Sequence, residues 1–369
     1  MNQMIYFDNA ATTPMSAKAL DTYTTVAQNF YANSESLHEA GNAAGQLVQE
    51  AQTTIANLFK IPVEGIIFTS GGTEANQLGI RSLATGSGKT QILVSPLEHS
   101  SVYQTLDLLH REFGFDIQTL PVTATGQITA AELTNQITAN TALIVIQAVN
   151  SITGIQQNLT ELKTAAQNAK VPLFVDAVQA MGKIDFDPTG LAGFSASAHK
   201  FNGPKSSGLL YLSPQVLTDP PYRHVFQQNG FLPGTLDVPG IVSMTTALTD
   251  SLPVIAQRLA LVTQLKAEFL TQLAPSFAPV IPTAGYPGIC GVILPKNQGQ
   301  EVVTRLGQQG ICFSTVSACS IKDPRPDKTL TALGYDQATI ERYIRLSFGP
   351  ENTLAEVDKL ADILNHEYA

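Results

Sequence analysis

Six short apolar runs govern what this chain can fold into: IIFT at 66–69, QILVS at 91–95, ALIVIQ at 142–147, PLFVD at 172–176, FSAS at 194–197 and GLLYL at 208–212. Four segments with helical periodicity lie among them: GTEANQLGIRSL, SVYQTLDLLHREFG, TAAELTNQI and NLTELKTAAQNA. Strand, helix, strand in that order predicts right-handed crossovers and a mostly parallel sheet flanked by helices, an α/β fold. A Pro- and Gly-marked excursion, PQVLTDPPYRHVFQQNGFLPG, follows the last run, and a helical stretch covers about 238–273. Beyond it the pattern changes. ICGVIL, a helix at 301–309, ICFST, YIRLSF and a terminal helix at 353–366 predict a smaller α+β domain. The expected division is an N-terminal segment 1–14 packing with the small domain, a large domain 15–250 and a small domain 251–369.

In open α/β sheets ligands bind beyond the carboxyl ends of the strands. The unusual polar residues of this chain fall there: IIFTS runs into GGTEAN, ALIVIQAV into NSITG, PLFV into DAVQ, and FSAS into HK. Four separate strand ends with such residues point to one site. The turn Ser70–Thr73 opens a helix, and free N–H groups at a helix start suit a phosphate; an ordinary Thr N-cap is the plainer reading of the same residues. Asp176 ends an apolar strand, and a buried carboxylate needs a metal, an arginine, a protonated ring nitrogen or a cap to fill. Gln179 lies close enough in sequence to reach the same ligand. His99 is either a satisfied structural residue or a ring that stacks on a planar ligand and exchanges protons.

Lys200, in SASAHKFNGPKSSG, has small neighbours that let something large approach the backbone. A lysine near a phosphate turn and a buried aspartate suits a Schiff base with pyridoxal 5′-phosphate, with Asp176 on the pyridinium nitrogen and Ser197 and His199 beside the phosphate. The competing reading is a strand-end lysine facing solvent.

Composition narrows the partners. With 21 basic and 30 acidic side chains the net charge is −9, without basic runs, which argues against nucleic acid or an anionic membrane as the main ligand. Inspection finds no apolar run of membrane-spanning length, and MNQMIYFDNAATTP lacks the pattern of an export signal, so a cytoplasmic location is expected. Three cysteines without a CxxC pair argue against a disulfide framework or structural zinc, and no metal is expected. Cys290 and Cys312 sit in apolar runs and read as packing thiols. Cys319 has small polar neighbours and lies beside SIKDPRPDK, where Lys322 and Arg325 favour the thiolate.

Together YFDNAATTP, FTSGGTEANQLGI, EHSSV, NSITG, VDAVQAMGKID, SAHKFNGPKSSG, SACS and IRLSFG resemble the cysteine desulfurases of the class V aminotransferase group, fold-type I pyridoxal-phosphate enzymes, along nearly the whole chain. The resemblance implies roles by position. Lys200 is similar to the Schiff-base lysine and His99 to the ring-stacking histidine. Asp176 resembles the pyridinium partner and Gln179 the partner of the phenolic oxygen. Gly72, Thr73, Ser197 and His199 would hold the phosphate, joined by Thr235 from the second subunit of a homodimer. Asn150 and Arg345 resemble the substrate carboxylate anchors, and Cys319 the nucleophile that accepts sulfur from L-cysteine as a persulfide, leaving L-alanine. The implied partner is a sulfur acceptor protein: a tRNA-thiolation enzyme, a thiamine-pathway protein or an iron–sulfur scaffold. One departure stands out. The family's Gly-rich, Arg-containing run before Gly-Thr is HVFQQNGFLPGT here, with Leu232 in place of the arginine. Selenocysteine lyase or cysteine sulfinate chemistry, or a weakly active paralogue that mainly binds a sulfur-handling partner, are the alternatives.

Overall fold

The computed structural model describes residues 4–281, 285–316 and 327–369. Its main sheet has seven strands in the spatial order Ile66–Thr69, Gly208–Leu212, Gly193–Ser197, Leu173–Asp176, Thr141–Gln147, Gln91–Val94 and Asp116–Thr119. All six anticipated runs are strands. The seventh, Asp116–Thr119, is an edge strand with partly exposed side chains, so it lacks the apolar signal. Five strands are mutually parallel. Gly208–Leu212 and Ile66–Thr69 close the other edge antiparallel. The short 198–207 link explains the first reversal, because a parallel return needs a crossover longer than this loop provides.

Helices cover the faces. Gly72–Gly86 packs across the central strands, and Ala17–Asn29 and Glu39–Phe59 pack on Val238–Ser251. The fully buried strand Thr141–Gln147 carries Ala142 to Ile146 through the middle of the core.

The C-terminal part is built on a three-stranded antiparallel sheet, Tyr343–Ser347, Ile289–Ile293 and Ala278–Val280. The strand Ile5–Tyr6 pairs parallel with Ile311–Cys312, so the N-terminal segment is tied to this part. The segment then turns back over the large sheet, where Thr13 N–H donates to the His199 carbonyl. The helices Val238–Ser251 and Ile255–Gln272 join through one 3-10 turn, Leu252–Val254, across the expected domain boundary. By length and composition this joined helix of 35 residues could cross a membrane, contrary to the sequence expectation. Here it is a core element: Ile241, Met244, Leu248, Val262, Leu265 and Phe269 are buried against the rest of the protein.

Candidate active site

Three neighbouring strands end abreast. Gln147 is in register with Asp176, and Asp176 with Ser195. Beyond these ends lies a cavity of about 280 Å³. Lys200, Asp176, His99, Gln179, His199 and Ser197 line it together with Gly72, Thr73 and Arg345. Residues separated by more than 270 positions thus meet at the carboxyl end of the sheet.

The turn into the helix Gly72–Gly86 is shaped for a close ligand. Gly71 has φ 147°, which favours glycine, and caps the helix without a side-chain hydrogen bond. A Cβ on Gly72 would stand 2.5 Å from Val178 Cγ2, so the cradle admits only glycine. The first-turn N–H groups and the helix dipole together favour an anion.

Asp176 is 1% exposed. Its Oδ1 accepts from Val178 N–H at 3.0 Å, and its Oδ2 accepts from Asn76 Nδ2 at 2.8 Å. Asn76 in turn donates to Ser101 Oγ and accepts from Ser195 Oγ. Ser101 Oγ lies 2.9 Å from His99 Nδ1. Asn76 is therefore the hub that joins the carboxylate to the histidine. Asparagine is a poor helix former, and its place inside the helix Gly72–Gly86 was the one weak signal in the sequence.

His99 caps the helix Ser100–Phe113 through Nδ1, which accepts from Ser101 N–H. In a neutral ring this places the proton on Nε2. Burial lowers the His99 pKa, Asp176 opposes that shift, and Lys200 adds to it. His199 contacts Thr12 Oγ1 through Nδ1 at 3.1 Å. Burial, then the Lys200, Lys205 and Lys183 charges, bring its pKa down to about 4, so it is neutral at pH 7.

The N-terminal turn covers the site from the other side. Lys200 Nζ donates to the carbonyls of Ala10 and Ala11, both at 2.7 Å. Gln179 Nε2 also donates to Ala10 O, at 2.8 Å, while its Oε1 accepts from Lys183 Nζ. Arg345 Nη2 pairs with Asp8 at 2.9 Å, and Nη1 donates to the Ser151 carbonyl. Arg345 Nε is buried and has no partner among the described residues.

Two other expected residues, Asn150 and Thr235, are not among those lining this cavity. Asn150 is 2% exposed and does not line the cavity. Its Oδ1 accepts from Ile152 and Thr153 N–H, and its Nδ2 faces Leu97 O, Gln147 Oε1 and Thr329 Oγ1. Thr235 is exposed and does not line the cavity of its own chain. Cys319 lies outside the described residues. Cys290 is buried, and burial pushes its thiol up to about 11, while Cys312 is half-buried. Among the described residues no cluster of His, Cys, Asp or Glu could hold a metal.

Sequence reasoning also passed over Glu98. It is 5% exposed, Oε1 accepts from Gln147 N–H, and Oε2 has no partner among the described residues. Burial, then the Asp176 charge, push its carboxyl well above the usual range. In the unfolded chain a glutamate ionises near pH ~4.3. The folded state therefore binds more protons above that pH, and this group's contribution to stability falls as pH rises through its folded pKa. Glu98→Gln removes the ionisation. Its melting temperature relative to wild type should rise as pH is raised from about 4.3 toward the folded-state pKa; a difference independent of pH would show that Glu98 is ionised in the folded protein.

The aminotransferase class-V family model matches residues 5–360. A Bacillus subtilis (strain 168) protein named "Putative cysteine desulfurase NifS" is 35% identical over 97% of this chain and 93% of its own. A solved NifS-like protein superposes with a TM-score of 0.90 at 28% identity, covering 99% of this chain and 100% of the other. SspA, solved in complex with cysteine, gives a TM-score of 0.82 at 26% identity over 95% of this chain and 100% of the other. The chain belongs to the class V aminotransferases, with the fold-type I architecture of pyridoxal-phosphate enzymes. Within that family its relatives are the NifS- and IscS-type cysteine desulfurases.

The family works with pyridoxal 5′-phosphate, and the residues present fit that group. The glycine-only cradle at Gly72 opens a helix, Asp176 is buried and ready to face a ring cation, and a lysine amine lies in the same cavity.

Proposed function

We propose that this protein is a cysteine desulfurase that converts L-cysteine to L-alanine and receives the sulfur on Cys319 as a persulfide for a sulfur acceptor protein. The observation that carries the reading is the single cavity shared by Lys200, Asp176, His99, Gln179, the Gly72–Thr73 helix start and Arg345. Relatives named cysteine desulfurase at 30–35% identity over nearly the full chain support the same activity.

When bound, pyridoxal 5′-phosphate supplies an electron sink conjugated to the substrate Cα. Lys200 would provide the amine that tethers it and, once released, would take the Cα proton. Asp176 would keep a proton on its ring nitrogen. His99 would pack against the ring, and Gln179 would donate to the phenolic oxygen. His199, Thr73 and Ser197 would donate to the phosphate. Arg345 holds the substrate carboxylate. Asn150 acts through its turn, which presents the Ser151 carbonyl to Arg345. Cys319 thiolate attacks the substrate sulfur. The new S–S bond forms as the Cβ–S bond breaks; its electron pair stays with the carbon skeleton, which gains a proton and leaves as alanine. The test is alanine release from cysteine by the loaded protein. Loss of cysteine without alanine would overturn the assignment.

The working unit in this proposal is a homodimer with composite sites. Tyr31, Leu37 and Phe226 are large apolar side chains exposed by 84%, 95% and 95%. The segments that bear Leu37 and Phe226 flank one groove, lined by Ser34, Glu35, Gln227 and Gln228. Large apolar side chains exposed to this degree on segments that border one groove favour burial against a partner. The altered run is itself well anchored: Gln227 exchanges two hydrogen bonds with Gly234, and Gln228 exchanges two with the edge-strand residue Phe68. These amides hold Thr235 at the surface, where it would reach the second subunit's phosphate. Heterodimers of Lys200→Ala with Thr235→Ala subunits contain one intact site and should recover about half of wild-type activity. Verified heterodimers as inactive as the parents would rule out a shared site.

A further inference from the structure

We propose that Lys183 is a positioning residue that fixes the amide of Gln179 so that its N–H side serves the cofactor. This rests on the reading of Gln179 as partner of the phenolic oxygen. Lys183 follows Gln179 by one turn and reaches back to donate to Oε1. On the other side Gln179 Nε2 donates to the Ala10 carbonyl. Both contacts choose the same orientation. A flipped amide would set its oxygen against the Ala10 carbonyl and its N–H group against the Lys183 amine, which can donate in either protonation state, so the two contacts share the work of orienting it. An amide nitrogen carries two hydrogens. One is used by Ala10, and the second remains for the cavity that Gln179 lines. Gln179 is 2% exposed, so its amide depends on these buried partners and on the cavity it lines.

Without Lys183 the amide loses one of the two contacts that orient it. A carbonyl oxygen turned toward a phenolate repels it, which favours the protonated form of the chromophore. Burial, then the charges of Lys200 and Arg345, lower the Lys183 pKa well below the usual lysine range, and His199 also lies within reach of its charge; any positive charge that Lys183 carries is lost in Lys183→Met, which also favours the protonated form. The orientation and charge effects therefore have the same sign, and a double-variant design separates them.

The experiment titrates the visible absorbance band of the bound cofactor against pH in wild type, Lys183→Met, Lys183→Arg, Gln179→Leu and the double variant Lys183→Met/Gln179→Leu. Lys183→Met should raise the spectral midpoint by about one pH unit, the scale of a lost hydrogen bond to a charged oxygen. Lys183→Arg, which can only donate, should stay near wild type. In the Gln179→Leu background Lys183→Met should add little. The inference is overturned if Lys183→Met leaves the midpoint unchanged, if Lys183→Arg shifts it as far as Met, or if the Met shift persists in full without Gln179, which would make the effect one of charge alone. A wild-type protein with no visible band would instead overturn the cofactor reading on which it rests.

Discussion

Lys200→Ala and Cys319→Ala are expected to abolish alanine formation from cysteine at different steps. Lys200→Ala leaves no amine to tether the cofactor and no base for the Cα proton, so it should hold the cofactor only non-covalently and exchange no Cα deuterium. Its fold should survive, since the substitution removes hydrogen bonds to two carbonyls of the N-terminal turn and leaves the backbone of the 198–200 turn in place. Cys319→Ala retains Lys200, Asp176 and Gln179. It should keep the visible band and exchange the Cα proton, yet yield almost no alanine. General acid–base catalysis contributes about 10²–10⁴-fold, and loss of a nucleophile that acts with it costs at least as much. Cys290→Ala and Cys312→Ala should turn over normally; the Cys290 thiol is buried and held protonated. The measurement is alanine release beside absorbance and Cα-deuterium exchange for all four variants. Wild-type alanine release from Cys319→Ala would contradict the persulfide route and favour direct release of sulfur, as in a lyase.

Asp176→Asn should leave a folded, cofactor-binding protein whose Cα-proton exchange is slowed by roughly 10²–10³-fold. A carboxylate beside a cationic nitrogen favours its protonated form by about one to three pKa units. The neutral amide removes that bias and weakens the electron sink. The substitution also disturbs the hub, because Asn76 Nδ2 then faces a group that can present N–H instead of oxygen. Rotation of the new amide restores that contact but turns its N–H group toward the Val178 N–H, so the fold should lose about 1–3 kcal/mol, the cost of one buried unsatisfied group. Reconstitution with a cofactor methylated at the ring nitrogen, which carries a fixed positive charge, should recover much of the lost exchange rate. Near-normal exchange in Asp176→Asn, or no recovery with the methylated cofactor, would refute the role given to the carboxylate.

The parts of the site readable in the sequence are those that lie next to strong local signals. Asp176, Ser197 and Lys200 each follow an apolar strand, and Gly72 and Thr73 open a helix after one. What was not readable depends on contacts across long separations. Glu98 looks like one acidic residue in a loop, and only packing shows it sealed beneath Gln147 beside the Asp176 charge. Asn76 looks like a surface amide until Ser195 and Ser101 close on it from two other elements. Asn150 resembles a substrate anchor by position, and only the fold shows its side chain bonded to its own turn and facing Thr329. The edge strand Asp116–Thr119 escaped notice because only one of its edges is paired and its side chains stay partly wet. The antiparallel strand Gly208–Leu212 was visible as an apolar run, but its direction follows from the length of the loop before it.

The central claim is that sulfur from cysteine comes to rest on Cys319. A single turnover of the loaded protein with sulfur-labelled L-cysteine, quenched by alkylation and digested, tests it directly by mass spectrometry. The expected result is one alanine per labelled sulfur, with the added sulfur atom on the peptide that contains Cys319 and none on those containing Cys290 or Cys312. Alanine formed in equal amount with the label released as free sulfide, or carried on either of the other two cysteines, would contradict it.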